Sequence, residues 1–424
     1  MRGFCVRGKL APGVTLIVLL SLALCAPGDS NLPLTGDIRG VHDPAVIRVG
    51  NRYYLFSTGP GIPIYVSEDL RQWKRIGQVF REIPEWARKH VPDARDIWAP
   101  DISYYRGRYR LYYAVSRFGT NRSVIGLATS ATLDPQDPTY RWRDEGPVVA
   151  TEPERDNWNA LDPHFTVSRD GTPYLVVGSY WSGIHLVRLN PATGKPATDP
   201  PERIPLAERR VARAVEAPFI VWRDGYYYLF VSHDFCCRGV FSTYRVVVGR
   251  SKSITGPYLD AQGRRMTDGG GTVVVEGDAR WRGPGHNAVL QSGAQTYLVY
   301  HAYDAQADGV RTLRIAPLQW SRDGWPAVPA PPRTIPSTPV VGFWEHTAGE
   351  DATGMIRLLP DGTIQDRGGA RWTLEGDRLV LRWPDPNAPG GAWVDRVRLD
   401  PDWLTYRGSN QNGVAIRGRR ISDR

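Results

Sequence analysis

Short apolar runs of strand length recur along most of the chain, with polar turn sequences between them. Five of these runs resemble one another, and their shared leucine is Leu55, Leu111, Leu175, Leu229 and Leu298. The intervals between these leucines are 56, 64, 54 and 69 residues. A polar turn of two to four residues precedes each run, and two of the turns are Asp-Gly, which is among the strongest hairpin signals. The pattern predicts five similar units built from antiparallel hairpins.

The length of these units indicates the fold class. Repeats of about 50 to 70 residues that contain several short strands, with no helical periodicity between them, are typical of a β-propeller in which each repeat is one blade. A single compact core rarely exceeds roughly 250 to 300 residues, so a chain of 424 residues needs repetition or a second domain. We therefore expect an all-β protein in which residues 38–330 form a five-bladed β-propeller.

The pattern changes beyond a proline-rich linker that begins at Pro329. The last 88 residues, 337–424, contain five of the fifteen tryptophans and show alternating strands such as RLVLRW and VDRVRL. This alternation predicts a small C-terminal β-barrel-like domain. The domain either binds sugar or braces the propeller, and bracing is favoured because tryptophans in a barrel core need no ligand.

The first 26 residues have the features of an export signal. Three basic residues precede an apolar run over residues 10–26 that is too short to span a bilayer comfortably. No later stretch is apolar for 18 residues, so no transmembrane span is expected. We expect a secreted or periplasmic protein, and Cys25 leaves open a lipid-anchored form.

Charge limits the classes of partner. The chain has 53 Lys and Arg against 44 Asp and Glu, and its net charge of +9 falls to +6 when the three basic residues of the signal are removed. There is no dense basic run of the kind that binds nucleic acid, and the mild basic excess suits an anionic polysaccharide or a cell wall. No nucleic acid partner is expected, and we expect a monomer.

The two cysteines of the mature chain, Cys236 and Cys237, are adjacent. Export permits disulfides. Neighbouring Cα atoms are about 3.8 Å apart, below the usual disulfide range of roughly 4.4 to 6.8 Å. A bonded pair and two packed thiols therefore both remain open.

Acidic residues recur at one position of the repeat. Twelve or thirteen residues before the shared leucine lie Asp43, Asp162, Glu216 and His286, in four of the five units. Asp-Pro is also a common turn dipeptide, but here it recurs in phase with the repeat. If equivalent positions of the blades face one axis, these side chains converge although they are up to 243 residues apart.

A group of three acids suits glycoside hydrolysis. Two carboxyl groups on either side of a glycosidic bond can cleave it, because one protonates the leaving oxygen while the other activates water. Glu216, next to an apolar Ala-Pro-Phe segment, suits the protonated donor, and Asp43 suits the ionised base. Neither a GxxxxGK[ST] loop nor HExxH is present, which argues against phosphoryl transfer and zinc hydrolysis.

Several motifs together resemble glycoside hydrolase family 43. They are VHDP, IWAPD, NALDPH, GSYWSG, VEAPF, CCRG followed by STY and VGRS, and GPGHN, which occur in the family's order over residues 38–326. More narrowly, they resemble the endo-acting arabinanases that cut α-1,5-linked arabinan. The resemblance implies a five-bladed propeller and an inverting mechanism in which Asp43 is the general base, Glu216 the general acid and Asp162 the residue that tunes and orients the acid.

The resemblance also implies the residues that contact substrate. Besides Asp43 and Asp162 these are Trp98, Phe118, Gly119, Asn159, Ala160, Leu161, Ser179, Tyr180 and Trp181. The commonest form of the GSYWSG motif has Phe where this chain has Tyr180, which would alter a subsite and not the chemistry. The expected partners are arabinan or pectin side-chain oligosaccharides. A calcium ion is expected near His286, held largely by water, and a hydrogen-bonded histidine without a metal is the alternative.

Two alternative functions remain open from the sequence. The three acids are shared with exo-acting α-L-arabinofuranosidases and β-xylosidases of the same family, so endo action depends on the CC, GRS, GPGHN and NALDPH segments. A non-catalytic sugar-binding propeller is the other alternative, and the presence of all three acids argues against it.

Overall fold

A computed structural model describes residues 31–209, 213–278, 280–329, 340–350, 352–375, 377–400 and 403–421. The predicted export signal with Cys25, and most of the proline-rich linker, lie outside these residues. Strands dominate the described parts, in agreement with the predicted all-β class. In the ranges given above, no helix is both long enough and apolar enough to cross a membrane.

The first three sheets are propeller blades. The first contains β1 (Thr35–Gly36), β2 (Ala45–Val49), β3 (Arg52–Phe56), β4 (Pro63–Ser67) and β5 (Gln72–Gln78). A short helix, α1 (Glu85–His90), precedes the second blade, which contains β6 (Trp98–Tyr105), β7 (Arg108–Ser116), β8 (Ser123–Ser130) and β9 (Arg143–Thr151). The third contains β10 (His164–Val167), β11 (Pro173–Val177), β12 (Ile184–Arg188) and β13 (Arg203–Ala207).

Two further sheets complete the five blades. The fourth contains β14 (Val215–Arg223), β15 (Tyr226–His233), β16 (Arg245–Ser251) and β17 (Thr272–Val275). The fifth contains β18 (Trp281–Ser292), β19 (Gln295–Asp304) and β20 (Val310–Pro317), and a two-residue hairpin pair follows, β21 (Gln319–Trp320) and β22 (Pro326–Ala327). The five leucines of the sequence repeat lie on the second main strand of each blade, and all are fully buried. The predicted five-bladed propeller is confirmed.

The N-terminal segment joins the last blade to the first. The Leu32 amide donates to the Ile315 carbonyl at 2.8 Å, and the Gly40 amide donates to the Arg311 carbonyl at 2.8 Å, so this segment runs beside β20 as an additional edge. Between these contacts β1 pairs in parallel with β5 of the first blade. The predicted propeller began at residue 38, and the structure shows that the residues from 32 onward also pair with it.

The C-terminal part forms one curled sheet of seven strands. They are β23 (Gly342–Ala348), β24 (Ala352–Leu358), β25 (Arg371–Glu375), β26 (Arg378–Pro384), β27 (Ala392–Leu399), β28 (Thr405–Asn410) and β29 (Ala415–Ile421), in the order β24-β23-β29-β28-β27-β26-β25. Single bridges Leu358–Ile364 and Thr363–Arg371 lie between the two edge strands. The predicted barrel is confirmed in part, as a half-barrel sheet curled around its own apolar core.

The outer face of this sheet contacts the propeller. The Arg282 guanidinium lies 3.6 Å from the centre of the Phe343 ring. Arg419 pairs with Glu345 at 3.2 Å and also contacts Glu276 of the propeller, while Arg245 lies 4.0 Å from Glu345. These contacts are of the kind expected if the domain braces the propeller.

The closing segment generates a stability prediction. Gly36 has φ +84°, and a Cβ there would lie 2.1 Å from the Trp73 carbonyl oxygen, so Gly36→Ala forces β1 away from β5. Gly40 has a similar φ of +81° but open space around its Cβ position, which makes Gly40→Ala a matched control for the left-handed backbone alone. We expect the apparent Tm of Gly36→Ala to be lower than that of Gly40→Ala by roughly 4 °C or more, measured by calorimetry. Equal Tm values would show that the closing strand adds no stability.

Candidate active site

In every blade, the innermost strand begins next to, or contains, a residue whose backbone is in the left-handed region of positive φ. These strands are β2, β6, β10, β14 and β18. The five residues and their φ angles are Asp43 (50°), Ala99 (46°), Asp162 (54°), Ala217 (56°) and His286 (49°). Residues other than glycine rarely adopt this conformation, and it costs on the order of 1–3 kcal/mol where it occurs. Its recurrence at the equivalent point of all five blades indicates a common structural role.

The bend turns backbone groups and side chains towards the propeller axis. The ladder shifts register just after it in three blades, between Trp98 and Asp101, between Glu216 and Phe219, and between Gly285 and Ala288. Such bulges redirect side chains and are common beside functional sites. Side chains from different blades therefore meet, as the repeat predicted.

They meet in one cavity of about 670 Å³. The predicted residues that line it are Asp43, Trp98, Phe118, Gly119, Asn159, Leu161, Asp162, Ser179, Tyr180, Trp181, Glu216 and His286. Ala160 does not line it and is fully buried. Ala160 is thus the exception among the predicted site residues, because it packs in the interior between two blades. The cavity is also lined by residues that were not predicted, among them Thr58, Phe235 and Tyr244.

Asp43 is surrounded by hydrogen-bonding groups. The Thr58 hydroxyl donates to Oδ2 at 2.5 Å, His42 Nδ1 lies 3.0 Å from the same oxygen, and His286 Nδ1 lies 3.0 Å from Oδ1. Burial by itself would raise the pKa of Asp43, but the His42 and His286 imidazoles outweigh it and hold the pKa well below its usual range. Asp43 is therefore ionised at neutral pH.

Glu216 has neutral hydroxyl partners. The Ser179 hydroxyl donates to Oε2 and the Tyr244 hydroxyl to Oε1, both at 2.6 Å. Burial raises the pKa of Glu216, and these two hydrogen bonds, which favour the ionised form, reduce the rise without cancelling it. Glu216 thus holds its proton to a higher pH than Asp43 does.

Asp162 contacts the strand that carries Glu216. Its Oδ2 accepts a hydrogen bond from the Ala217 amide at 3.0 Å and lies 3.9 Å from His286 Nδ1. Burial and the nearby carboxylates of Glu216 and Asp43 raise the pKa of Asp162 well above its usual value, although His286 opposes them. Because the Asp162 carboxylate bonds to the backbone amide of the residue after Glu216, it can fix the position of the strand that carries Glu216.

His286 is the cation of the group. Burial would lower its pKa, but the carboxylates of Asp43 and Asp162 raise the pKa of His286 to about 9. It therefore carries a proton at neutral pH and bridges two acids with one positive charge.

These side chains do not form a calcium cage. Calcium prefers six to eight oxygen ligands, whereas His286 Nδ1 contacts a carboxylate directly. Among the described residues, the group with suitable spacing for an ion is His42, Asp43 and His301, which offers two imidazoles and one carboxylate. Imidazoles suit zinc or copper better than calcium. The water-held calcium expected from the resemblance stays a prediction.

Aromatic side chains form the walls of the cavity. Phe118 is 78 % exposed, and Trp98 and Trp181 are half-buried with part of each ring on the cavity. Phe235 also lines it, with the Arg238 guanidinium 4.3 Å from its ring centre. Flat apolar surfaces beside carboxyl groups suit the binding of a sugar chain.

Cys236 and Cys237 are joined by a disulfide on the cavity wall. The Cys237 amide donates to the Tyr303 hydroxyl at 2.8 Å, which ties this turn to the fifth blade. The sequence left the bonded and reduced forms open, and the structure has the bonded form.

Sequence reasoning missed several polar partners of the acids. The Tyr244 hydroxyl donates to Glu216, and the Thr58 hydroxyl donates to Asp43. The Ser232 hydroxyl accepts a hydrogen bond from the His286 amide at 2.8 Å. Tyr244 belongs to the STY segment that contributed to the resemblance, and Thr58 follows the first repeated strand. The positions of these partners along the sequence carry no signal, because each reaches its site residue from another strand or another blade.

The sequence profile of the glycosyl hydrolases of family 43 matches residues 38–326, more than half of the chain. The chain belongs to this family. The matched region covers the five blades and the cavity between them, and leaves out the C-terminal half-barrel.

Named relatives of this family 43 member include both exo- and endo-acting proteins. An extracellular exo-α-(1→5)-L-arabinofuranosidase of Cellvibrio japonicus is 44 % identical over 68 % of this chain and 86 % of its own. An extracellular endo-α-(1→5)-L-arabinanase of Bacillus subtilis is 43 % identical over 68 % of this chain and 87 % of its own. The structure of a Cellvibrio cellulosa α-L-arabinanase complexed with arabinohexaose has a TM-score of 0.66 at 43 % identity, over 69 % of this chain and 96 % of that one.

Proposed function

We propose that this family 43 member hydrolyses internal α-1,5-L-arabinofuranosidic bonds of arabinan. The observation that carries the proposal is the opposed ionisation of Asp43 and Glu216 within one cavity. Relatives that are 43 % and 44 % identical are named for the α-1,5 linkage of arabinofuranose, which supports arabinan as the substrate class.

In this mechanism the two acids act on opposite sides of the scissile bond. Glu216 gives its proton to the leaving glycosidic oxygen, and Asp43 takes a proton from the water that attacks the anomeric carbon. The product then has inverted configuration, and the base and acid need a separation of about 6.5 to 9.5 Å to leave room for that water. Asp162 positions the strand of Glu216, and His286 keeps Asp43 ionised.

The aromatic walls and the neighbouring polar groups hold the sugar chain. Trp98, Phe118 and Trp181 offer flat surfaces for furanose rings. Asn159 accepts a hydrogen bond from Ser123 at 2.6 Å through Oδ1, which fixes its amide so that the NH2 group is oriented for a sugar hydroxyl. We further propose export, since both named relatives are extracellular.

Endo action and exo action differ in whether the end of the polysaccharide must lie in the cavity. The CC, GRS, GPGHN and NALDPH segments favour endo action, as does the name of the Bacillus relative. The exo-acting name of the Cellvibrio relative keeps exo action as the second candidate.

Product analysis tests the proposed function. With debranched arabinan, the protein should release arabino-oligosaccharides of mixed length from the first minutes, because an internal bond can be cut anywhere along the chain. Size-resolved chromatography of a time course measures this. Arabinose as the sole early product would favour the exo candidate, and absence of any product would contradict both.

Asp43→Asn and Glu216→Gln test the two catalytic roles. Each should lower kcat on debranched arabinan by roughly two to four powers of ten, the usual range for loss of a general acid or base. Glu85→Gln, at an exposed position of α1 that does not line the cavity, is a control that should retain normal activity. Near-normal kcat in either cavity variant would contradict its role.

Tyr244→Phe tests the control of the Glu216 proton. The Tyr244 hydroxyl stabilises the ionised form of Glu216, so its removal should raise the pKa of Glu216 further. Since the acid must be protonated, the alkaline limb of the pH dependence of kcat/KM should move to higher pH. Tyr228→Phe loses a buried hydroxyl that donates to Gly324 outside the cavity, and its alkaline limb should not move. A limb that stays in place or moves downward in Tyr244→Phe would refute the assignment.

A further inference from the structure

The interior of the C-terminal half-barrel is apolar at one end and polar at the other. The apolar core includes Trp344, Leu381 and Val397, on β23, β26 and β27. Side chains two positions apart on a strand point to the same face. Two residues away from these core positions, on the same face, lie His346 on β23, Trp383 on β26 and Asp395 on β27. The same three rows of inward-pointing side chains therefore change from apolar to polar.

Asp395 is the most deeply buried polar group at this end. It is 3 % exposed, lies 3.4 Å from His346 Nε2 and accepts a hydrogen bond from the Trp383 indole at 2.6 Å. Both contacts use Oδ2, so among the described residues Oδ1 is left as the acceptor for another partner. A buried polar pair rarely adds stability over well-packed apolar side chains. Core packing alone therefore gives no reason for an acid at this position.

The polar end opens into a second cavity, of about 540 Å³. Small residues, Ala348, Ala352 and Gly354, take the places where large side chains would fill the interior. The volume is within the range of roughly 300 to 1,000 Å³ for small-molecule sites, and the mouths of β-barrels are among their usual locations.

Two indoles line this cavity in fixed orientations. Trp383 is held through its bond to Asp395, and the Trp393 indole donates to Asp385 Oδ2 at 2.9 Å. Both rings are half-buried. Rings held at their N–H edge present flat apolar faces to a ligand without having to lose rotamer freedom when it binds.

We propose that this cavity is a second carbohydrate-binding site, which takes one or two neutral sugar units of a polysaccharide. The C–H faces of the sugar pack on Trp383 and Trp393. Its hydroxyls bond to Asp395 Oδ1 and to the side-chain amide of Asn412 at the rim.

The charges in the cavity favour a neutral ligand over an anionic one. Among the residues that line the cavity, Asp395 is acidic and Arg367 is basic, so their formal charges cancel. Burial and Arg367 lower the pKa of His346 to about 4, so this histidine adds no charge at neutral pH. An anionic uronate would meet Asp395 with no excess cation to compensate.

Binding by an inactivated full-length protein tests the site. In the Glu216→Gln background, titration calorimetry with arabinohexaose, galactotetraose and xylohexaose should detect a binding event that Trp393→Ala abolishes. Asn412→Ala, a rim change that leaves the core intact, should weaken the same event about tenfold, as expected for loss of one bond to a buried hydroxyl. Trp222→Ala removes a comparably exposed indole from the propeller surface and should leave every event unchanged.

The outcomes separate this proposal from the proposed function. Binding in the propeller cavity persists in Trp393→Ala, and its presence or absence bears only on the arabinan assignment. Unchanged binding of all three probes in both Trp393→Ala and Asn412→Ala, with the fold verified by circular dichroism, would overturn the second site. So would the absence of any event that depends on Trp393.

Discussion

The active site depends on five non-glycine residues held at positive φ where the innermost strands enter the propeller. Asp43, Ala99, Asp162, Ala217 and His286 have φ angles between 46° and 56°. This backbone is unfavourable for residues with a Cβ, so the surrounding blades must impose it. Its effect is to direct two acids and one imidazole inward and to place the Ala217 amide where it can hold Asp162. Without this bend, the same residues would continue the pleat of their strands.

Within that geometry, neighbours decide which acid holds a proton. All three acids are buried, and burial alone would raise each pKa. His286 and His42 reverse the effect at Asp43, whereas Glu216 has only neutral hydroxyls as direct partners. The difference in protonation between base and acid thus comes from the two imidazoles, which contact the Asp43 carboxylate directly.

The C-terminal half-barrel presents different groups on its two faces. Glu345 and Arg419 point outward to ion pairs that include propeller residues, while His346 on the same strand as Glu345 points inward to the second cavity. Strand alternation allows both, because adjacent residues lie on opposite faces. Bracing and sugar binding, which were alternatives from the sequence, are therefore compatible in one sheet.

The five repeated leucines and the in-phase Asp-Pro segments were enough to predict the number of blades and the convergence of Asp43, Asp162, Glu216 and His286. Such signals are local or periodic, so they are visible along the chain. Other features depend on contacts between distant residues: the closing strand before residue 38, the Tyr244 hydroxyl on Glu216, and the contact of the Asp43 amide with His301, 258 residues away. The sequence alone determined which side chains face the axis, because strand period and repeat length are set by the backbone. Only the tertiary structure decided their protonation and partners, because those depend on distances between blades that no spacing along the chain encodes.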